Sequence, residues 1–284
     1  MIVVDGNKIA NKILDNLKKE IENIKQPLCL AVILVGKNKI SASFVKKKEE
    51  AAKKIGVDFK LFNFPASISN RQLRQSLAEI IKRRDIHGII IQLPLPDSLN
   101  CQYILDAIPP NKDVDVLSSL SLGNFYTNKL KVSPPVVAAV LKVLNEYDIK
   151  MKARQVVIIG SGRLTGKPLL LSLLNQRATV SVLNKFTPSL ADYTKRADIL
   201  ISGAGQANII NHNIIKKGAV VIDAGMSVET LHGGKSVLKG DIDSRGIEKK
   251  AKFFVPSSGG LGPITVAMVM KNLVKLIHYS SFYV

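Results

Sequence analysis

Phe44 and Lys48 stand four residues apart in Ser41-Ala-Ser-Phe-Val-Lys-Lys-Lys48. On a helix this spacing makes them project from one face, so an aromatic ring and an amine share a wall. A ring can stack on a flat heterocycle. An amine can act as acid or base once desolvation or neighbouring cations bring its pKa toward neutrality. Lys48 also ends the run Lys46-Lys-Lys48, which by itself reads as an ordinary solvated face. Gln92 closes the apolar run Gly88-Ile-Ile-Ile and opens Gln92-Leu-Pro-Leu-Pro96. It is either a polar stop on a strand or a group at the carboxyl end of a parallel strand, where open α/β sheets bind ligands. Lys112-Asp-Val-Asp115 offers two carboxylates in a loop, with a turn held by Asp side chains as the plainer reading.

A second set of residues suits a nucleotide. Gly160-Ser-Gly-Arg-Leu-Thr-Gly166 follows the apolar run Gln155-Val-Val-Ile-Ile and opens a helix, so its glycines let the backbone approach a pyrophosphate at the helix N-terminus. The spacing is one residue longer than the standard dinucleotide fingerprint. The next strand ends in Leu183-Asn-Lys-Phe186, with Asn184 and Lys185 where an NAD site usually carries Asp or Glu. A 2'-phosphate would meet a cation there, which favours NADP over NAD. Pro256-Ser-Ser-Gly-Gly-Leu-Gly-Pro-Ile-Thr265 joins a strand to the last helix and gives backbone that can approach a ligand. His87, His212, His232 and His278 show no metal-ligand spacing, so no metal is expected.

The elements that must hold these residues alternate in period. Ile9, Ile13, Leu17, Ile21 and Ile24 form one apolar stripe of a helix over 7–24. Leu28 to Val35 reads as a strand covered on both faces. A helix from about Ser41 stops at Gly56, and Val57, Phe59 and Leu61 alternate as in a strand. Ser69 with Gln72 resembles a capping box before Leu73, Leu77, Ile80 and Ile81. Residues 109–135, rich in Pro, Ser and Asn, read as a long loop. A helix over 135–148 leads to a second series with strands at 155–159, 178–183, 198–202, 218–222 and 252–255, and a last helix at about 262–278 should pack back on the first domain. Strand and helix in alternation imply parallel sheets with crossover helices.

The length of 284 residues allows two domains. With 46% apolar and 22% charged residues, the composition excludes a disordered or collagen-like chain. Cys29 and Cys101 make neither a disulfide framework nor a zinc ribbon, so a reducing cytoplasm is the expected compartment. The start lacks a signal-peptide pattern, and no membrane span or anchor is expected. The net charge of +19 is spread over both halves. Aromatics do not alternate with the basic residues and no nucleic-acid module appears, so a Lys-rich surface, or a field that attracts phosphates and carboxylates, is favoured over nucleic-acid binding.

Taken together, Val35-Gly36 with Ser43-Phe44-Val45-x-x-Lys48, Gly88-Ile-Ile-Ile-Gln-Leu-Pro-Leu-Pro96, Lys112-Asp-Val-Asp115, the Gly160 to Pro168 loop and Gly259-Gly-Leu-Gly-Pro-Ile-Thr265 resemble one family over nearly the whole chain. It is the bifunctional methylenetetrahydrofolate dehydrogenase / methenyltetrahydrofolate cyclohydrolase family. The resemblance implies an α/β protein of two domains: an N-terminal catalytic domain over 1–143, completed by 263–284, and a Rossmann-like NADP-binding domain over 144–262. It implies NADP-dependent oxidation of 5,10-methylenetetrahydrofolate and hydrolysis of the methenyl product to 10-formyltetrahydrofolate, with tetrahydrofolate derivatives, polyglutamylated ones included, as substrates and a homodimer as the assembly. A cyclohydrolase without a working dehydrogenase half, or a non-catalytic binding protein on the same scaffold, are the alternatives.

The same resemblance implies roles for particular residues. Lys48 would be the central catalytic group, Gln92 would hydrogen-bond it, and Asp115 would hold the polar edge of the pterin. Phe44, Gln92, Leu93, Pro94, Asp115, Gly262 and Pro263 would contact the folate. Gly160, Ser161, Gly162, Arg163, Gly166, Asn184, Lys185 and Thr265 would contact NADP. This chain departs from the family pattern in several places. Phe44 stands for the usual Tyr, Val116 for Gly, and Val132-Ser-Pro-Pro135 for Pro-Cys-Thr-Pro. In the nucleotide loop the basic residue moves from second to fourth position, and Pro256-Ser-Ser-Gly-Gly260 replaces Pro-Val-Pro-Gly-Gly.

Overall fold

The computed structural model describes residues 1–24, 26–230 and 236–280; His232 lies outside them. Along the chain come β1 (Ile2–Val3), α1 (Gly6–Glu22), β2 (Cys29–Val35), α2 (Lys39–Lys54), β3 (Asp58–Phe64), α3 (Asn70–Lys82), β4 (Gly88–Ile91), α4 (Cys101–Leu105), α5 (Ser119–Tyr126) and α6 (Pro135–Glu146). Then follow β5 (Gln155–Ile159), α7 (Gly166–Asn175), β6 (Thr179–Leu183), α8 (Leu190–Thr194), β7 (Ile199–Ser202), β8 (Val220–Asp223), β9 (Ser227–Thr230), β10 (Ser236–Lys239), β11 (Phe253–Val255) and α9 (Gly262–Ser280). Two compact units result, one of Ala10–Pro135 with Val266–Val284 and the other of Met1–Ile9 with Val136–Thr265.

The first unit is built on a parallel sheet in the order β3-β2-β4. Every residue of the central strand β2 is buried, which is why its sequence is a continuous apolar run rather than an alternating one. Leu73, Leu77 and Ile80 of α3 join Ala31, Ile33, Ile89 and Ile91 in one core, each large side chain contributing about 1.5–3 kcal/mol by leaving water. The helix starts where Ser69 and Gln72 close a capping box, Gln72 N donating to Ser69 Oγ at 3.3 Å and Ser69 N to Gln72 Oε1 at 3.1 Å. α2 ends before Gly56, whose φ of +77° is the left-handed turn glycine permits. From Val266 onward α9 belongs to this unit, as expected for the last helix. Asn272 Nδ2 donates to the carbonyls of Val114 and Ser133, each at 2.8 Å. A Cβ on Gly88 would stand 2.6 Å from Leu273 Cδ1 and 2.7 Å from Val114 Cγ1, so only glycine lets the start of β4 meet α9 and the 112–116 loop. The segment Ser257–His278 is long and apolar enough to cross a membrane by length and composition alone, but it is mostly buried within the protein, as a core helix is.

The second unit carries a six-stranded, all-parallel sheet in the order β1-β11-β8-β7-β5-β6. Its core includes Val157, Ile159, Leu183, Leu200, Val221 and Phe254. The five strands expected from sequence all form, with starts shifted by at most two residues.

Three features differ from the sequence reading. The stretch 109–135 is not one loop, because α5 forms inside it. Ser118 Oγ accepts from Ser121 N at 3.2 Å, and Asp106 Oδ1 accepts from Ser119 N at 2.7 Å. The first nine residues join the second unit, because β1 pairs with β11 and Gly6 sits where any Cβ would strike the carbonyl of Gly260. The units change over at Pro135–Val136, ahead of the 143/144 boundary, so α6 lies in the second unit apart from its first residue. An antiparallel β9–β10 hairpin also stands apart from the large sheet.

Candidate active site

In the first unit, Asn38 caps α2, its Oδ1 accepting from the amides of Ile40 at 2.9 Å and Ser41 at 3.1 Å. That start sets the helix phase. Ser41 and Val45 are buried, Phe44 and Lys48 are half-buried, and Lys46 and Lys47 are exposed. The basic run therefore divides: two lysines form the solvated face, and Lys48 turns toward the protein. Lys47 Nζ lies 5.9 Å from the centre of the Phe44 ring. Lys48 Nζ donates to Gln92 Oε1 at 3.0 Å. Gln92 is the first residue past β4, fixed by its amide donating to the carbonyl of Ile33 at 2.9 Å. Its Nε2 donates to the carbonyl of Leu93 at 2.8 Å, which aims the amide oxygen at the lysine. The Leu93–Pro94 peptide is cis.

The 112–116 loop uses its charged residues in three ways. Lys112 Nζ donates to the carbonyls of Ile81 at 2.7 Å and Arg83 at 2.9 Å, closing the end of α3. Asp113 is buried and accepts from the amides of Leu117 and Ser118, so for this residue the turn-holding reading is correct. Asp115 has no hydrogen-bond partner among the described residues. Burial pushes its carboxyl above the ordinary range and Asp113 adds to that, while the Lys48 cation pulls the other way. A carboxylate in this condition has unused acceptor capacity in a partly dry place beside an amine. Val116 adopts a φ of +56° and is fully buried. It thus takes the left-handed conformation that glycine adopts without cost, which for a β-branched residue is an outlier.

In the second unit, the loop after β5 fits a pyrophosphate. Gly160 has a φ of +97°, and a Cβ on Gly166 would lie 1.9 Å from the Gly160 carbonyl oxygen. Gly160 and Gly166 are therefore required by the close turn, whereas a Cβ on Gly162 would meet nothing. α7 begins with no side-chain cap from Thr165 and no acidic residue in its first turn. Lys167 N donates to the Gly162 carbonyl at 3.1 Å and Pro168 has no N–H, so of its first three residues Gly166 alone offers an amide to an anion. Ser161 is half-buried and Arg163 exposed. At the end of β6, Asn184 and Lys185 are both exposed. Asn184 Oδ1 accepts from Phe186 N at 2.9 Å, and Lys185 Nζ lies 5.0 Å from the Phe186 ring centre.

The structure thus brings Phe44, Lys48, Gln92, Leu93, Pro94 and Asp115 into the first unit. Gly262, Pro263 and Thr265, at the start of α9, fall in the second unit with the glycine loop, Asn184 and Lys185. Thr265 Oγ1 donates to the carbonyl of Leu261 at 3.0 Å. No group of three or more His, Cys, Asp or Glu side chains that could hold a metal occurs among the described residues. Two buried acids were passed over in the sequence, Asp223 at the end of β8 and Asp241 after β10. The available signal was an acidic residue closing an apolar strand beside glycine, in Asp223-Ala-Gly225 and Gly240-Asp241.

Comparison with known proteins supplies the family. Residues 4–115 match the family model for the tetrahydrofolate dehydrogenase/cyclohydrolase catalytic domain, and residues 134–281 match that for the NAD(P)-binding domain. The bifunctional protein FolD of Nautilia profundicola is 39% identical over 278 residues, covering 97% of this chain and 96% of that protein. A FolD structure from Campylobacter jejuni superposes with a TM-score of 0.91 at 34% identity, covering 99% of each chain. The Trypanosoma brucei enzyme, solved with NADP and an inhibitor, superposes with a TM-score of 0.94 at 30% identity, covering 99% of this chain and 98% of that one. The chain belongs to the tetrahydrofolate dehydrogenase/cyclohydrolase family.

Proposed function

We propose that the protein is a bifunctional enzyme that oxidises 5,10-methylenetetrahydrofolate with NADP and hydrolyses the resulting methenyl compound to 10-formyltetrahydrofolate. The observation that carries this reading is the Lys48–Gln92 pair at 3.0 Å beside Asp115, which accepts no hydrogen bond among the described residues and feels the Lys48 cation. Cyclohydrolysis needs water to add to the methenyl carbon, a proton to leave that water, and N5 to gain a proton as its bond to that carbon breaks. We assign the proton transfer to Lys48 Nζ, which the Gln92 oxygen holds in one direction. Asp115 would accept the adjacent N–H donors of the pterin, and Phe44 would cover a ring face. The nicotinamide supplies the hydride acceptor when bound. Around it, the Gly160–Gly166 backbone, with the Gly166 amide at the start of α7, would hold the pyrophosphate, and Lys185 the 2'-phosphate.

The Campylobacter jejuni and Trypanosoma brucei FolD proteins, both methylenetetrahydrofolate dehydrogenase/cyclohydrolases, support both halves of this reading. Following the resemblance, we propose a homodimer acting in the cytoplasm and supplying one-carbon units for purine synthesis, with neither membrane nor nucleic acid as partner. A coupled absorbance assay tests the activities. Wild-type protein should turn over methylenetetrahydrofolate only with nucleotide and methenyltetrahydrofolate without it. Intact methenyl hydrolysis with no binding of NADP or NAD would leave a cyclohydrolase alone.

A further inference from the structure

The loop after β5 does not stand by itself. Where Gly160 lies, a Cβ would be 2.5 Å from the carbonyl oxygen of Gly203 and 2.9 Å from Ala204 Cα. A Cβ on Gly203 would in turn be 2.4 Å from Thr165 Cγ2, at the entry to α7. The turn that follows β7 is therefore packed without clearance against both ends of the nucleotide loop, and its position decides theirs. One side chain fixes that turn. Asp241 is fully buried, and its Oδ2 accepts from Ser202 Oγ at 2.6 Å, Ala204 N at 2.7 Å and Gly205 N at 3.3 Å, while Oδ1 accepts from Gln206 N at 2.9 Å. Asp223 holds Asp241 in its turn. Its Oδ1 accepts from Asp241 N at 3.2 Å and Gly225 N at 3.0 Å, and its Oδ2 from Ile242 N at 3.1 Å.

We propose that Asp241 is a positioning residue of the nucleotide site: its carboxylate gathers the amides of residues 204–206 and so sets the backbone of Gly160–Gly166 against which NADP is bound. Three consecutive amides and a hydroxyl, all donors, require an acceptor at every lone pair, which a carboxylate offers and a carboxamide does not. Replacing one oxygen with an NH2 turns one of these bonds into a clash of donors, and the turn must shift. A pyrophosphate held by backbone amides is sensitive to such a shift, since misplacement by about 1 Å is enough to cost on the order of a hundredfold in a well-organised site. The inference rests on the nucleotide-binding reading of the second unit.

The test is calorimetry with NADP on the wild-type protein, Asp241→Asn and Ser202→Ala, with methenyl hydrolysis measured on each. Asp241→Asn should weaken NADP binding by roughly tenfold or more, while kcat and KM for methenyl hydrolysis, assigned to the first unit, stay within about twofold of wild type. Amide exchange at residues 204–206 should quicken without ligand. Ser202→Ala, which removes a single bond and spares the backbone contacts, should cost roughly two- to tenfold in NADP affinity; it carries the test if Asp241→Asn does not fold. Unchanged NADP affinity in these variants, or an equal fall in both functions, would overturn the proposal while leaving the nucleotide site intact. A wild-type protein that binds no NADP would overturn both.

Discussion

At the residue scale the question is what Lys48, Asp115 and Phe44 each contribute. Lys48→Met should abolish methenyl hydrolysis without unfolding the protein, whereas Lys46→Met and Lys47→Met, on the exposed face, should be mild. Near-normal hydrolysis by a folded Lys48→Met protein would remove the lysine from its assigned role. Burial and Asp113 raise the carboxyl of Asp115, so it takes up a proton at higher pH than an ordinary aspartate. Its charged form is the one that accepts the pterin donors. Folate affinity should therefore fall as pH is lowered through that raised pKa, and Asp115→Asn should be weaker throughout and flat over the same range. Lys48→Met removes the cation that opposes the rise, so the acid limb of folate binding should move to still higher pH. An acid limb identical in all three proteins would contradict this. For Phe44, restoring a hydroxyl with Phe44→Tyr separates stacking from hydrogen bonding: a raised rate assigns value to the oxygen, and unchanged rates assign it to the ring.

At the scale of elements, the loops that hold the site carry strain and buried charge. Val116 trades a strained φ against complete burial; the strain costs about 1–3 kcal/mol, and burial of a valine contributes about as much. Val116→Ala loses the packing and keeps the strain, while Val116→Gly loses the packing and relieves it. The glycine variant should accordingly be the more stable of the two by about 1 kcal/mol in denaturant unfolding, and the reverse order would show that the backbone there is not strained. In the second unit, burial pushes Asp223 up to about 6 against the three amides that favour its charged form. A raised carboxyl stabilises the native state fully below its unfolded pKa and ceases to do so as pH rises through the folded one. The stability advantage of wild type over Asp223→Asn should therefore shrink by about 2–3 kcal/mol between pH 4 and pH 7; a constant gap would refute it. The elements themselves were legible to different degrees. α3 could be read because Ser69, Gln72 and its apolar stripe agree. α5 could not, since Ser121 is its only buried residue and polar side chains from Asp106 and Ser118 hold it in place of an apolar face. The allegiance of Met1–Ile9 depends on pairing with a strand some 250 residues away in sequence, which no local pattern carries. Asp223 and Asp241 show what they do only once three chain segments meet around them.

At the scale of the molecule, the charge of +19 gives the protein a field suited to anionic ligands. NADP carries a 2'-phosphate that NAD lacks, so raising ionic strength from about 0.05 M to about 0.5 M should weaken NADP binding more steeply than NAD binding. Lys185→Glu should remove most of that difference. Equal salt dependence for the two nucleotides would mean that neither Lys185 nor the field discriminates between them. Helix phase placed Phe44 and Lys48 on one face and the glycine loop announced a nucleotide, whereas the pairing of Lys48 with Gln92 was legible only through the family resemblance. What links these observations to one enzyme is that both chemistries reside on one chain. The most direct measurement is the absorbance assay on the wild-type protein and Lys48→Met, with methylenetetrahydrofolate and methenyltetrahydrofolate supplied separately, in NADP, in NAD and without nucleotide. The expected result is NADP-dependent oxidation and nucleotide-independent hydrolysis in wild type, with hydrolysis abolished in Lys48→Met while NADP still binds. A wild-type protein that turns over neither folate under these conditions would contradict the bifunctional reading.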